Sequence, residues 1–224
     1  MTILAHSLIE QLELTTSALI LLISFLFLVQ NRINTMIASF AWQSALLVVI
    51  TLLHAFSSKQ PELYFSAGIT FALKVILIPY LLRRVVKQMN IRHKMASIKH
   101  PFLLLLGAAI LVLFCYHLII PIRNTAWFIT SNAIAVAMSV TLLGMLLFIT
   151  HRKAVSHIIG FMSMENGIFF AALTSTQGMP MIVELGVAFD VLVASVLFGL
   201  FFFHMRSSID SLDVDRLNLL KEDD

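Results

Sequence analysis

Four ionisable residues interrupt stretches of sequence that are otherwise apolar. Lys74 lies within residues 63–82, Glu165 within residues 154–178, and Glu184 and Asp190 both lie within residues 179–203. A charge at the centre of a membrane helix costs ~3 kcal/mol or more, so each of these residues needs a physical reason to be there. Two carboxylates and an amine in an apolar layer are suited to carrying a proton or a small cation. Burial opposes the charged form of a carboxylate and a neighbouring lysine favours it, and groups held between such influences exchange protons. The alternative is structural: an acid that is protonated, or paired with Lys74, and does no more than fix helix packing.

The elements that position these residues follow from composition and length. The chain has 224 residues, of which 59% are hydrophobic and 12% charged, and its mean hydropathy is +0.95. Soluble domains carry about 25% charged residues, so this is a membrane protein. Seven apolar segments are expected, at residues 14–30, 33–57, 63–82, 101–120, 125–150, 154–178 and 179–203. Each approaches or exceeds the roughly 20 residues that span a bilayer as a helix. Membrane strands would be shorter and alternating, so the expected fold is an all-α integral membrane protein. The stretch before the first segment has no Lys or Arg, unlike a secretory signal, so the first segment is expected to be retained as an anchor.

The basic residues orient the bundle. With the N-terminus outside, twelve of the fifteen Lys and Arg residues fall on the cytoplasmic side: Arg32, the cluster Arg83, Arg84, Lys87, Arg92, Lys94 and Lys99, then Arg152, Lys153, Arg206, Arg216 and Lys221. Lys59 and Arg123 fall outside and Lys74 within the membrane. This asymmetry predicts an outer N-terminus and a cytoplasmic C-terminus. It also accounts for the net charge of +3 without nucleic-acid binding. The basic link divides the chain into a three-helix part (residues 1–100), a four-helix part (101–205) and an acidic tail (206–224). The tail spaces Leu212, Val214, Leu217 and Leu220 for a short amphipathic turn, suited to solvent or to lying against a neighbouring protein.

Depth then follows from the helical rise of about 1.5 Å per residue. Glu165 lies about 18 Å, and Asp190 about 21 Å, above the cytoplasmic ends of their helices. Both fall near the middle of a core about 30 Å thick. Lys74 lies about 13 Å from the same side, a turn or more below the acids. Glu184 is nearer the outer surface and about 120° around the helix from Asp190, placed to extend a route outward. Gly160 and Gly167 admit a close neighbour, and Ser163 and Asn166 can hydrogen-bond across that contact. His54 and His117 lie near the outer ends of their helices, where a bis-histidine haem can be imagined but no supporting pattern accompanies it. His157, near an inner end, is placed to feed protons towards Glu165, although an interfacial histidine is the commoner case. One cysteine, Cys115, excludes a disulfide framework and a thiolate-ligated metal site within this chain. No cofactor is expected in it.

Several stretches resemble the membrane component E of hydrogenase-4, a formate-hydrogenlyase-type complex. They are Lys74-Val75-Ile76-Leu77-Ile78-Pro79, Met164-Glu165-Asn166-Gly167, the stretch from Val183 through Glu184, Gly186 and Ala188 to Asp190, and Leu212-Asp213-Val214-Asp215. More distantly, the last three helices resemble the small three-helix membrane protein of respiratory complex I (its K-type component) and the C-type component of multisubunit cation/proton antiporters. There the complex I glutamate falls at the position of Met162, whereas here the acid is Glu165. Three residues turn the helix by about 300°, so the carboxylate keeps nearly the same face and moves about 4.5 Å along the axis.

The resemblance implies a non-catalytic, multi-pass component of a bacterial inner membrane complex. Its neighbours would be antiporter-like and quinone-module-like membrane subunits and, indirectly, a nickel–iron hydrogenase and iron–sulfur peripheral arm. Glu165 and Asp190 would carry protons or couple them to the redox reaction, with Lys74 tuning or relaying. The alternatives are a component of a cation/proton antiporter with no redox module, and a structural anchor for partner subunits. A seven-helix sensor with a chromophore on Lys74 is disfavoured, because no apolar pocket for it can be read.

Overall fold

The computed structural model describes residues 2–58, 61–88, 101–121, 128–175, 186, 188–196 and 199. They form α1 (Thr2–Val29), α2 (Ile33–Ser58), α3 (Pro61–Thr70), a π-helical turn (Phe71–Leu77), α4 (Ile78–Gln88), α5 (Pro101–Ile119), α6 (Phe128–Thr150) and α7 (Ala154–Ser175), and residues 188–196 are helical. Six of these helical stretches are long and apolar enough to cross a membrane, α3 and α4 counting as one with the π turn between them. The chain is an all-α, multi-pass membrane protein. Of the expected seventh span, residues 188–196 are the described continuous part. The acidic tail and the basic residues Arg92, Lys94 and Lys99 lie outside the described residues. The first helix begins well before residue 14, so Glu10 and Glu13 are helical rather than in a leading coil.

The interior is layered. One apolar cluster holds Phe27, Phe40, Ile78, Leu147 and Met162, and a second holds Ile20, Leu47, Leu63, Val140 and Phe169. Along α1, α2 and α7 the chain passes from one cluster to the other through polar residues. Ser24 separates Ile20 from Phe27, Gln43 and Ser44 separate Phe40 from Leu47, and Ser163, Glu165 and Asn166 separate Met162 from Phe169. Lys74 falls between Leu63 and Ile78 in the same way. The bundle is thus two apolar slabs with a polar layer between them, and hydrogen bonds within that layer offset the loss of water.

Two backbone features set the geometry of this layer. The helix through residue 74 widens over Phe71–Leu77, and the Ile78 N–H donates to the Leu73 carbonyl, five residues back. Pro79 follows directly. It lacks an N–H, and in a regular helix its ring would press on the carbonyl of Val75; a wider turn relieves that contact. On the other side of the layer, α6 and α7 pack backbone to backbone. A Cβ on Gly144 would fall 2.8 Å from the Met164 nitrogen, and one on Gly160 would fall 3.0 Å from the Gly144 carbonyl. A Cβ on Gly167 would meet the Ala137 carbonyl at 2.8 Å. Gly160 and Gly167 therefore do what their positions predict, and α6 is the neighbour they admit. By contrast α5 turns Phe102, Leu103, Ile110 and Leu113 outward, while Cys115 on it is buried as a small apolar residue.

Candidate functional site

Lys74 is the hub of the polar layer. Its side chain is 1% exposed, and its Nζ bonds directly to Glu165 Oε2. It also donates to Asn166 Oδ1 at 2.9 Å and lies 3.1 Å from Asp190 Oδ1. The Asp190 contact closes a second ion pair on the same amine. The Phe169 ring closes the apolar side, 5.8 Å from Nζ. Three of the four candidate residues therefore meet in one site. Glu184 lies outside the described residues.

Lysine and acids meet although their Cα depths differ by a turn or more. Helical side chains lean toward the N-terminus of their own helix. Consecutive spans alternate in direction, so Lys74 and Glu165 sit on antiparallel helices and lean toward each other. The long, flexible lysine stem spans the remainder.

Asn166 joins this cluster to α2. Its amide nitrogen lies 3.3 Å from both Gln43 Oε1 and Ser44 Oγ, and donates to them. Gln43 Nε2 in turn donates to Ser163 Oγ at 3.2 Å and to Ser24 Oγ at 2.9 Å. Asn166 and Ser163 thus bond away from the glycine contact with α6, towards α2 and Lys74. Gln43, Ser44 and Ser24 are the site residues that sequence reasoning passed over. The available signal was their place: isolated polar residues at the centre of long apolar helices.

Beside Glu165 is a cleft of about 230 Å³, lined by Phe161, Met164, Ile168, Phe169, Ala172, Gly186 and Phe189 as well as Glu165. Glu165 is the lone charged lining residue. Its Oε1 is buried without a hydrogen-bond partner among the described residues, while its Oε2 is held by Lys74.

Two histidines have local partners. His54 Nε2 lies 3.2 Å from Glu13 Oε1, and the His157 ring packs on Phe148 with centroids 4.8 Å apart. No group of three or more metal-ligating side chains occurs among the described residues.

Sequence comparison places the chain among known proteins. It is 30% identical over 186 residues to hydrogenase-4 component E of Escherichia coli K12, covering 81% of this chain and 84% of that protein. The chain belongs to the hydrogenase-4 component E family. Hydrogenase-4 component E of Shigella flexneri matches equally, and an uncharacterized protein of Mycobacterium tuberculosis is 29% identical over 204 residues, 91% of this chain and 93% of that protein. No family model matches the chain, and no solved structure matches it significantly. The relatives that carry the hydrogenase-4 name are each a component of that enzyme.

Proposed function

We propose that the chain is a non-catalytic inner-membrane subunit of a hydrogenase-4-like complex, and that Lys74, Glu165 and Asp190 form a proton-exchange site coupling that complex to ion movement. The N-terminus faces outward and the C-terminus the cytoplasm, as the basic residues favour. The membrane neighbours are antiporter-like and quinone-module-like subunits, and a nickel–iron and iron–sulfur arm carries the redox chemistry.

The observation that supports this reading is one amine shared by two carboxylates in a buried layer. With all three groups ionised the cluster carries one net negative charge, and net charge is costly there. One proton on either acid makes it neutral. The site therefore holds or releases a single proton, and a change of charge in a neighbouring protein of the complex shifts that balance. Asn166 fixes the lysine, so the mobile component is the proton. Glu165 lines the cleft, and on this reading Glu184, six residues before Asp190 in the sequence, extends the route.

Reconstituted complex carrying Glu165→Gln or Asp190→Asn tests this. The expected result is assembled complex with ion translocation reduced by roughly a hundredfold, as expected when a positioned acid–base group is removed. Unchanged translocation in both variants would sink the proposal. Poor assembly with normal translocation per assembled complex would instead support a structural anchor. Co-purification with antiporter subunits alone, and no hydrogenase, would move the same site into an antiporter.

A further inference from the structure

The contact between α1 and α2 carries polar pairs at a distance from the central cluster. Gln43 on α2 meets Ser24 on α1 at the central layer, and His54 meets Glu13 toward the other end of the same contact. Glu13 and Ser24 are eleven residues apart on α1, as are Gln43 and His54 on α2. The two helices therefore keep one antiparallel register between these pairs. That register sets Thr16 level with Thr51, and both are buried. Eleven residues correspond to about 16 Å of helix, roughly half the apolar thickness, so the Glu13–His54 pair lies near one membrane face.

A second column of hydroxyls points the same way. Ser66 and Thr70 precede Lys74 by eight and four residues, stack one turn apart on α3, and are both buried. Because α2 ends at Ser58 and α3 starts at Pro61, these residues run from Lys74 toward the end where His54 sits. Ser66 Oγ has no hydrogen-bond partner among the described residues. Its donor and acceptors are available to a passing water.

The Glu13 and His54 side chains are 13% and 19% accessible, against 1% for Lys74, 2% for Asp190 and 12% for Glu165. They sit beyond the second apolar cluster, with Glu10 one turn further toward the start of α1. The buried hydroxyls of Thr16, Thr51, Ser66 and Thr70 are polar groups set within that cluster's level. Resting on the proton-exchange role of the central cluster, we infer that Glu13 and His54 form the proton port on the membrane face nearest the start of α1. A proton taken up by the Glu13 carboxylate passes to His54 Nε2, which regenerates the carboxylate and gives an imidazolium. Nδ1 then releases its proton to water held by the Thr51, Thr16, Ser66 and Thr70 hydroxyls, from which it reaches the Lys74 cluster. Rotation of the ring with return of the N–H to Nδ1 restores Nε2 as the acceptor. One proton enters and one leaves, with no change of redox state. The first three helices thereby gain a role as an access path.

The test is proton flux in vesicles containing the whole complex, read with a pH-sensitive dye, together with assembly in mild detergent. His54→Gln retains a hydrogen bond to Glu13 but cannot relay a proton, and Glu13→Gln does the same from the other side. Both are expected to assemble like the parent and to lose flux by about tenfold or more, the low side of what a positioned acid–base group contributes. Parental flux in His54→Gln and Glu13→Gln, with flux lost in Glu165→Gln, would overturn the port and leave the central site standing. Parental flux in all of them would remove both. Flux that falls only in proportion to lost assembly would also overturn the port, since that is what a packing role predicts.

Discussion

The bundle holds two charge constellations that differ in what surrounds them. At the centre, Lys74 and Asp190 are each 1% exposed and the partners are an amide and two carboxylates. At the rim, Glu13 and His54 pair with each other at 3.2 Å, with side chains 13% and 19% accessible. A buried pair must recover its whole desolvation cost from fixed partners, whereas a partly exposed pair recovers less of it that way. The centre accordingly is tied to the Gln43–Ser44–Asn166 scaffold.

Removing the central amine should break this contrast most severely. Lys74→Met leaves Glu165 and Asp190 facing each other in the apolar layer, and breaking a buried pair from one side costs about 3–5 kcal/mol. The expected outcome is a large drop in the chain recovered with its complex and in thermal stability in detergent. The double variant Lys74→Met/Asp190→Asn should recover part of the loss, because one orphaned charge is gone. His54→Gln, measured the same way, should change stability by less than about 1 kcal/mol. Equal losses for Lys74→Met and His54→Gln would show that burial does not separate the two sites.

The scaffold comes next. Asn166→Leu removes an acceptor from Lys74 and a donor from Gln43 and Ser44. Leaving such buried groups unpaired costs about 1–3 kcal/mol. A thermal shift smaller than that of Lys74→Met but clearly larger than that of His54→Gln is expected. A shift no larger than that of His54→Gln would mean the layer is held by charge alone.

How much of this was legible in the sequence depends on the signal each residue leaves. Apolar runs of about 20 residues announce helices, and a carboxylate inside one is conspicuous because it is costly. So the all-α membrane fold and the trio Lys74, Glu165 and Asp190 could be read directly. Their contact could not be read from Cα depth, which ignores the lean and reach of side chains and put Lys74 a turn or more below the acids. Gln43 and Ser44 left a faint signal, since one neutral polar residue is cheap enough to pass as tolerated. The π turn was hidden because Pro79 reads equally well as a kink. The α1–α2 register, on which the rim pair rests, comes from packing along two helices and from no local pattern.

A smaller effect is expected at the opposite rim, where α6 turns into α7. His151 lies between those spans and is 6% exposed. Its imidazole is held below the ordinary 6.5, first by burial and further by the nearby His157, with a bond to the Leu147 backbone opposing them. Its Nε2 has no hydrogen-bond partner among the described residues. The unfolded chain therefore binds a proton that the folded chain resists, and stability must rise with pH across the interval between the two values. Stability is complete above about pH 6.5 and declines as the pH falls from there toward the lower folded value. Thermal unfolding of the detergent-solubilised chain should show this slope, and His151→Gln should flatten it while leaving proton flux unchanged. If the slope survives His151→Gln but disappears in His54→Gln, the pH-sensitive rim is the one at α1, and the two ends of the bundle exchange roles.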